Sequence, residues 1–299
     1  MHTADRTNGS NRATGIATDL ALSLDPSLLM ERMGMQPDPW QARLLRSNAK
    51  RILLNVHRQA GKSTSTGALA AHTAAYKPGS LVLLLSPSLR QSSELFRKAL
   101  DAYHAIGGSS PSDVENKLTL ELTNGSRIIS LPGKEETIRG YSGVDLLIVD
   151  EASRVLDGLY YTIRPMLAVS NGRLVALTTP AGKRGWFFTE WSGPEPWERF
   201  EARATECSRI SPEFLEEERK ALGPHWFGQE YMCQFEDNTD QLFSSEIIQQ
   251  AVTHDVKPLF GAAYSGSGSG SGINEKEHSN GLTRAGSFNP YTLTTTYTG

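Results

Sequence analysis

The stretch that most constrains the fold of this chain is residues 51–64, RILLNVHRQAGKST. Residues 52–56 favour a short buried strand, and good helix formers follow from residue 65 to residue 75. In a loop between such a strand and such a helix, backbone N–H groups and the positive end of the helix dipole face an anion. The stretch therefore predicts a phosphate-binding loop, in which Lys62 reaches the outer phosphates and Ser63 binds Mg²⁺.

A second stretch, residues 144–151, predicts another buried strand that ends on two adjacent carboxylates, Asp150 and Glu151. The loop by itself is a weak signal, because Val56 replaces the first glycine of the usual G-x-x-x-x-G-K-[ST] pattern. Nucleotide hydrolysis uses one carboxylate to hold Mg²⁺ and another to polarise the attacking water. Each run alone could equally be a core strand capped by polar residues, but the two together, in this order, predict an ATP site.

The composition fits a globular protein of one large or two small domains, with 299 residues of which 38% are hydrophobic. No apolar run approaches the roughly 18 to 20 residues that span a bilayer, and the N-terminus lacks an apolar signal core, so we expect a cytosolic protein. The net charge of −3 gives no global indication of nucleic-acid binding. Cys207 and Cys233 are predicted to be small core residues rather than a disulfide or a metal site.

Apolar runs that alternate with helical segments predict an α/β domain. Beyond the two strands above, further strands are predicted at residues 81–85, 118–122, 127–131, 173–180 and 200–204, with a helix at residues 91–104. The first of these is apolar throughout, which is typical of a parallel strand covered on both faces. Asn124-Gly125 is a strong hairpin signal, so the sheet is expected to be mixed, with an antiparallel addition.

The two ends of the chain differ from its centre. Residues 1 to about 18 are polar and predict a disordered lead-in, and residues 19–33 have helical spacing. After the core, Ser211 is predicted to cap a helix, and a second helix follows the Gly223-Pro224 break. The last residues, from about 265 onward, are Ser/Gly-rich and then Thr-rich, which indicates a flexible tail.

These patterns divide the chain into four predicted parts. They are a lead-in and N-terminal helix at residues 1–35, a P-loop ATPase core at 36–205, a helical lid or linker subdomain at 206–258, and a flexible tail at 259–299. The predicted fold is therefore a core with a mostly parallel central sheet and a small helical lid.

Three further side chains are candidates for the site. Gln41 can offer a donor and an acceptor to the edge of adenine, or it can be a helix-surface amide beside a core tryptophan. Arg139 lies in a Gly-containing loop before the acidic strand, where it can reach a γ-phosphate or form a surface salt bridge. Arg58, inside the phosphate loop, is a second candidate for stabilising that charge. The sequence does not decide which arginine acts within a subunit and which acts across an interface.

Taken together, these motifs resemble the large subunit of a tailed-bacteriophage terminase, the motor that packages viral DNA. The resemblance covers residues from about 36 to 250 and is carried by Trp40-Gln41, residues 58–64, Ile138-Arg139-Gly140, residues 146–153 and Thr178-Thr179-Pro180. Residues 210–218 and 229–235 are similar to the family's region after the core.

The resemblance implies a RecA-like ATPase and a role for each matching residue. Gln41 would contact adenine, Glu151 would be the catalytic base, and Arg139 would be a finger acting on a neighbour's ATP. The nucleotide would be held by Arg58, Gln59, Ala60, Gly61, Lys62, Ser63 and Thr64. Asp150 and Ser63 would support Mg²⁺, and Thr178 and Thr179 would couple hydrolysis to movement.

The same resemblance implies a set of partners, and it also shows where this sequence differs from the family pattern. The partners would be double-stranded DNA, like subunits in a homo-oligomeric ring, the terminase small subunit and the portal protein of the procapsid, in the cytoplasm of the bacterial host and without a membrane. After Glu246 the family continues into a nuclease domain, whereas here the Ser/Gly-rich tail follows, so we expect no nuclease activity.

Two other readings of the same residues compete with this one. A helicase-like DNA translocase uses the same core and the same Asp-Glu strand end, but the region after residue 205 is too short and too helical for a second RecA-like domain. A non-catalytic ATP-binding decoy subunit would bind nucleotide and assemble without turnover. Measured turnover and its dependence on DNA would distinguish these readings.

Overall fold

The structure is a computed structural model, and it describes residues 5–107, 111–133, 138, 140–237, 247 and 251. The chain divides into two units, residues 1–251 and 252–299, and every described residue lies in the first. The predicted flexible tail at residues 259–299 lies outside the described residues. The four predicted domain boundaries stay predictions.

Within the described residues, eight strands form one sheet in the order β3-β4-β5-β2-β6-β7-β1-β8. The strands are β1 (Arg51–Val56), β2 (Leu81–Ser86), β3 (Ser112–Glu115), β4 (Thr119–Leu122), β5 (Arg127–Pro132), β6 (Leu146–Asp150), β7 (Arg173–Thr178) and β8 (Glu198–Ala202). The five pairings from β5 to β8 are parallel, and the pairings of β3 with β4 and of β4 with β5 are antiparallel. The predicted mostly parallel sheet with an antiparallel addition is confirmed. The strand predicted at residues 200–204 is the edge strand β8, which begins two residues earlier.

The helices lie on both faces of this sheet. The described α-helices are Asp5–Leu24, Leu28–Arg32, Pro39–Arg46, Lys62–Tyr76, Leu89–Ile106, Asp157–Ile163, Gly185–Ser192 and Pro212–Met232. Short 3₁₀ turns cover Ala152–Arg154, Arg164–Leu167 and Ala204–Glu206. Over the part of the chain that the structure describes, no helix has both the length and the apolar character needed to cross a membrane.

The parallel strands are apolar because helices cover both of their faces. All six residues of β2 are buried, and all five residues of β6 are buried. In β1, Leu54 packs into the core shared with helices Lys62–Tyr76 and Leu89–Ile106, while Leu53 packs into the core on the opposite face. Successive side chains of a strand point to opposite faces, so a covered sheet requires apolar residues at every position.

The hairpin of β4 and β5 forms at the predicted Asn124-Gly125 turn. Gly125 has φ of 82°, a left-handed conformation that glycine adopts without strain, and β4 and β5 pair on either side of it. The outer strand β3 (Ser112–Glu115) was not predicted from the sequence. Its four residues, SDVE, are all exposed, so the strand carries no hydrophobic pattern and depends on pairing with β4.

The N-terminal region differs from the prediction. A disordered lead-in was expected up to about residue 18, but the structure has a helix over Asp5–Leu24. The end of this helix is anchored, because Leu22 is buried in the core and Tyr76 donates a hydrogen bond to Asp19 at 2.7 Å. Once the last turn is anchored, the helix can extend toward the N-terminus through polar residues that have no apolar periodicity, because adding a residue to an existing helix is easier than starting one.

The predicted single helix at residues 19–33 is interrupted for a local reason. Pro26 follows Asp25, and the side chain of Asp25 accepts hydrogen bonds from the backbone N–H and the hydroxyl of Ser27 at 3.0 and 2.7 Å. This Asx turn satisfies groups that a continuous helix would pair internally. One helix therefore ends at Leu24 and the next begins at Leu28.

The last described helix contains the predicted break. Ser211 accepts a hydrogen bond from the N–H of Phe214 at 3.2 Å and so caps the helix, as predicted. Gly223 is non-helical, with φ of 72° and ψ of 170°, and Pro224 begins the second segment. That segment ends at Met232, because Cys233 takes a left-handed conformation with φ of 59°.

One glycine sets the distance between two helices of the core, and this gives a test of the packing. A Cβ atom on Gly67 would lie 2.9 Å from the backbone N of Ala99 and 2.9 Å from the backbone C of Lys98. Gly67→Ala should therefore lower the free energy of unfolding by about 1–3 kcal/mol, because the added methyl forces the two helices apart. Denaturant unfolding measures the change.

The matched control is Gly15→Ala, in the helix Asp5–Leu24. An added Cβ there has no atom within 4 Å, so only the gain in helix propensity remains, and the free energy of unfolding should stay level or rise by up to about 1 kcal/mol. Equal effects of the two substitutions would show that the helix contact at Gly67 is looser than in the structure.

Candidate active site

The loop between β1 and the helix Lys62–Tyr76 has an unusual backbone. Gln59 has φ of 63°, a conformation that is uncommon outside glycine, and Gly61 has φ of 84° as the N-cap of the helix. A Cβ atom on Gly61 would also lie 2.9 Å from the side-chain nitrogen of Gln41. Glycine is thus required at position 61 by both its backbone conformation and its surroundings, and the loop places a helix N-terminus at the end of β1.

The side chain of Lys62 is folded back over the loop and is buried. Its ammonium donates to the carbonyl oxygens of Val56 and His57 at 3.1 and 3.2 Å and to Oγ1 of Thr179 at 2.8 Å. Burial lowers the pKa of Lys62, and the negative charges of Glu151 and Asp150 oppose that shift. These contacts hold the positive charge where β1 and β7 end.

Asp150 is the last residue of β6, and its carboxylate faces the start of the helix after the loop. Ser63 donates a hydrogen bond from Oγ to Oδ2 of Asp150 at 3.1 Å. Burial raises the pKa of Asp150 to about 6, with Glu151 contributing to the rise and Lys62 opposing it. A carboxylate in this environment is stabilised by added positive charge.

The donor set at Ser63 and Asp150 fits Mg²⁺. A hydroxyl and a carboxylate are hard oxygen ligands, and Mg²⁺ usually keeps several waters and uses one or two carboxylates together with substrate phosphates. Nowhere in the described ranges do three or more His, Cys, Asp or Glu residues form a group that could hold a metal ion. The fit is therefore to a cation shared with a phosphate ligand, and not to a cage made of protein ligands alone.

Glu151 follows Asp150 in a strained conformation, with φ of 51°. Its N–H donates to Oδ1 of Asp150 at 2.9 Å, and Nη1 of Arg154 donates to its Oε2 at 2.6 Å. The left-handed residue turns the chain from β6 into the 3₁₀ turn Ala152–Arg154, and Glu151 lines the cleft above the phosphate loop.

The two hydroxyls at the end of β7 have different partners. Oγ1 of Thr178 lies 2.6 Å from Oγ of Ser153, and Ser153 also donates to the carbonyl oxygen of Thr179 at 3.1 Å. Oγ1 of Thr179 accepts from Lys62. The strand end thus connects the turn that carries Glu151 to the lysine of the phosphate loop.

A cleft of about 710 Å³ lies over the phosphate loop. Its lining includes the predicted residues Arg58, Gln59, Ala60, Gly61, Lys62, Ser63, Thr64, Glu151 and Thr179. Five further lining residues were not predicted: Gln91, Glu94, Lys98, Arg154 and Glu230. Only the pairing of Arg154 with Glu151 had a local signal, since an arginine three residues after an acidic residue in a helical turn is within reach of it.

Arg58 and Glu230 join the phosphate loop to the last described helix. The backbone N of Arg58 donates to the carbonyl oxygen of Glu230 at 2.9 Å, and the two side chains form an ion pair at 3.6 Å. The side-chain amide of Asn55 in β1 donates to the carbonyl oxygen of Cys233 at 2.8 Å. The guanidinium of Arg58 remains 69% exposed at the mouth of the cleft.

Gln41 lies beside the loop, but its amide is occupied by the main chain. Oε1 accepts from the N–H of Asp38 at 2.8 Å, and Nε2 donates to the carbonyl oxygen of Ala60 at 3.1 Å. The residue is 3% exposed and is absent from the lining of the cleft. It is therefore not the helix-surface amide that was the alternative, and contact with adenine, which would exchange one of these bonds, stays a prediction.

Two predicted features remain to be placed. Arg139 lies outside the described residues, between Ile138 and Gly140. Cys207 and Cys233 are free and buried, as the sequence predicts, and burial raises the pKa of Cys233 to about 12. Because burial disfavours the reactive thiolate, the place of Cys233 fits the predicted small core residue.

Comparison with known proteins identifies the family. Residues 54–250, more than half of the chain, match the family model described as terminase large subunit, T4likevirus-type, N-terminal. The chain belongs to the terminase large-subunit family. The curated terminase large subunit of Thermus phage G20c is 24% identical over a 253-residue alignment that covers 72% of this chain and 52% of the relative. This terminase chain thus spans about half the length of the curated relatives it matches.

Solved structures share the fold of this terminase chain. The large terminase ATPase domain of Thermus phage P74-26 superposes with a TM-score of 0.62 and 23% identity, over 69% of this chain and 96% of that chain. The large terminase of another thermophilic bacteriophage, solved in complex with ADP, has a TM-score of 0.56 and 13% identity, over 67% of this chain and 54% of that chain. The predicted RecA-like α/β fold is confirmed by these likenesses.

The bonds of Gln41 give a test of its role in this terminase. Gln41→Ala leaves the carbonyl of Ala60 and the N–H of Asp38 without their partners, so the free energy of unfolding should fall by about 1–3 kcal/mol. If these two bonds are the whole role of the amide, calorimetry should show ATP and GTP binding weakened by the same factor. Denaturant unfolding and titration with both nucleotides measure these effects.

The control is Gln36→Ala, an exposed amide five residues earlier. It should change the free energy of unfolding by less than about 0.5 kcal/mol. A loss of ATP affinity with unchanged GTP affinity in Gln41→Ala would instead identify Gln41 as an adenine contact.

Proposed function

We propose that this chain hydrolyses ATP with Mg²⁺, and that as part of a terminase large subunit it powers the packaging of double-stranded viral DNA into a procapsid. One observation carries the proposal: five predicted site residues lie together at the carboxyl ends of the parallel strands. They are Lys62, Ser63, Asp150, Glu151 and Thr179. These five residues come from the ends of β6 and β7 and from the start of the helix after β1. In open parallel sheets, ligands bind outside the carboxyl ends of the strands.

The nucleotide phosphates would lie in the cleft over residues 58–64. The N-terminus of the helix Lys62–Tyr76 offers backbone N–H groups and positive dipole charge to an anion, and Lys62 adds a full charge once it leaves its carbonyl partners. The ADP complex of the thermophilic phage's large terminase supports nucleotide binding by this fold. Gln59, Ala60, Gly61 and Thr64 would complete the loop around the phosphates.

Ser63 and Asp150 would hold Mg²⁺. When bound, the cation would neutralise charge on the phosphates during transfer. Ser63 and Asp150 already lie within hydrogen-bond distance, so they are held ready to share one ligand. The raised pKa of Asp150 supports the same role: burial raises this pKa more than Lys62 lowers it, so an added cation would stabilise the charged carboxylate.

Glu151 would polarise the attacking water as the general base. Its strained backbone and its bonds to Asp150 and Arg154 fix its position beside the phosphate loop. Arg58, at the mouth of the cleft, and Arg139 would stabilise the charge that develops on the γ-phosphate, one within the subunit and one across a subunit interface. The weak 3.6 Å pair with Glu230 leaves Arg58 able to turn toward a phosphate.

Thr178 and Thr179 would couple hydrolysis to movement. Thr179 contacts Lys62 and Thr178 contacts Ser153, so a change at the phosphates reaches the turn that carries Glu151 through one strand end. The working assembly would be a homo-oligomeric ring with double-stranded DNA, the terminase small subunit and the procapsid portal protein, in the cytoplasm of the bacterial host. The family to which residues 54–250 belong supports the DNA-packaging context from which these partners are proposed.

The first test of the proposed function is Glu151→Gln. Because a positioned base contributes on the order of 10² to 10⁴ to the rate, ATP hydrolysis should fall by that factor while ATP affinity stays within about twofold. A phosphate-release assay and nucleotide titration measure the two quantities. An unchanged rate would remove Glu151 from the role of base.

Lys62→Ala is the matched comparison, since it changes the phosphate contact and leaves Glu151 in place. It should weaken ATP binding itself, by at least about tenfold. Tight ATP binding by the unaltered chain without any turnover would support the decoy subunit and contradict the proposed hydrolysis.

The second test concerns assembly. If an arginine is supplied between subunits, the specific ATPase activity should rise with protein concentration, and Arg139→Ala should lower it by on the order of 10³-fold. Hydrolysis is measured across a concentration series with Mg²⁺ and repeated with double-stranded and single-stranded DNA. Activity that is independent of concentration and of Arg139, and that single strands stimulate, would favour a monomeric helicase-like translocase.

A further inference from the structure

Arg154 contacts the residue on which the proposed hydrolysis depends. Its Nη1 lies 2.6 Å from Oε2 of Glu151, and both side chains line the cleft over the phosphate loop. Arg154 is the last residue of the 3₁₀ turn Ala152–Arg154, and Glu151 is the residue that caps the start of that turn. No other hydrogen bond of the Arg154 guanidinium is found among the described residues.

We propose that Arg154 is a positioning residue for Glu151: its guanidinium holds one carboxylate oxygen so that the other faces the cleft and the attacking water. The inference rests on the proposed function, because it takes Glu151 to be the general base. Arg154 itself takes no proton and touches no reacting atom.

The geometry distinguishes this pair from an ordinary surface ion pair. An exposed pair between two long side chains gains little, because both must be ordered to form it. Here Glu151 is already fixed by its left-handed backbone and by the bond from its N–H to Asp150. What remains free is the direction of the carboxylate, and a donor three residues later in the same short turn sets that direction.

The position of a base strongly affects its rate contribution. A displacement of about 1 Å at a reacting group can lower a rate by about 100-fold. Glu151 directly follows the buried strand β6, so its backbone cannot move to correct a badly directed side chain. The arginine therefore acts on the rate and leaves the binding of nucleotide unchanged.

A different role for Arg154 would be a direct contact with a phosphate, since it lines the same cleft. The two roles give different results. A phosphate contact strengthens nucleotide binding and acts without Glu151, whereas a positioning residue acts only through Glu151.

The test begins with Arg154→Ala in the full chain, with ATP and Mg²⁺. We expect kcat to fall by about tenfold, with KM and the Kd for ADP within about twofold of the unaltered chain. Arg154→Lys should recover most of the rate, because the pair uses a single bond that an ammonium can replace. A weakened Kd for ADP together with no recovery by lysine would overturn the proposal in favour of a phosphate contact.

A double-mutant cycle makes the dependence on Glu151 explicit. In the Glu151→Gln background, Arg154→Ala should lower the residual hydrolysis by less than about twofold, because the group it positions is already gone. A tenfold loss in both backgrounds would show that Arg154 acts independently and would overturn the proposal.

The control is Arg203→Ala, which removes an ion pair of the same kind away from the cleft. Arg203 lies 2.6 Å from Glu201 and is 49% exposed, compared with 48% for Arg154. Its loss should leave kcat unchanged. Thermal unfolding of each variant checks that the fold is retained, and Arg154→Lys, which keeps the charge, provides the rate comparison even if Arg154→Ala unfolds.

The outcomes separate this inference from the function on which it rests. If Glu151→Gln abolishes hydrolysis and Arg154→Ala leaves kcat unchanged, the positioning role is wrong and the proposed base stands. If Glu151→Gln leaves hydrolysis unchanged, or the unaltered chain has no turnover, the proposed function fails and the positioning role fails with it.

Discussion

The buried ammonium of Lys62 is the interaction on which the rest of the site depends. It donates to two carbonyl oxygens at the end of β1 and to the hydroxyl of Thr179 after β7, and so joins neighbouring parts of the sheet edge. Its charge also opposes the rise in the pKa of Asp150. A buried lysine is favourable only where such partners converge, and the same convergence makes the site ready for an anion that replaces them.

Two residues with strained backbone line the cleft. Gln59 in the phosphate loop and Glu151 after β6 both have positive φ, which costs about 1–3 kcal/mol at residues other than glycine. The surrounding bonds maintain the strain: the N–H of Glu151 is held by Asp150, and the neighbouring Arg58 is held by Glu230. The cleft is thus lined by backbone held in two uncommon conformations.

The helix Pro212–Met232 contributes contacts to the candidate site. The carbonyl oxygens of Glu230 and Cys233 accept hydrogen bonds from the backbone N of Arg58 and the side-chain amide of Asn55, so the chain after β8 packs against the phosphate loop. The rings of Phe187 and Phe235 lie 6.3 Å apart and attach the following segment to the core. Nothing in the local pattern of residues 226–235 indicated these contacts, because they join groups that lie far apart in the sequence.

The sequence by itself determined every described strand except β3, together with the phosphate loop and the acidic strand end, because each is a local pattern. Buried parallel strands are continuously apolar, and the glycine of Gly61-Lys62-Ser63 marks the left-handed start of a helix. It also indicated Asp150 and Glu151. Only the tertiary structure decided that Gln41 supports the loop through the main chain, that Ser153 bonds Thr178, and that Glu230 and the helix residues Gln91, Glu94 and Lys98 line the cleft. These contacts join distant segments, and their formation depends on the order of the strands in the sheet, which no short stretch of sequence contains.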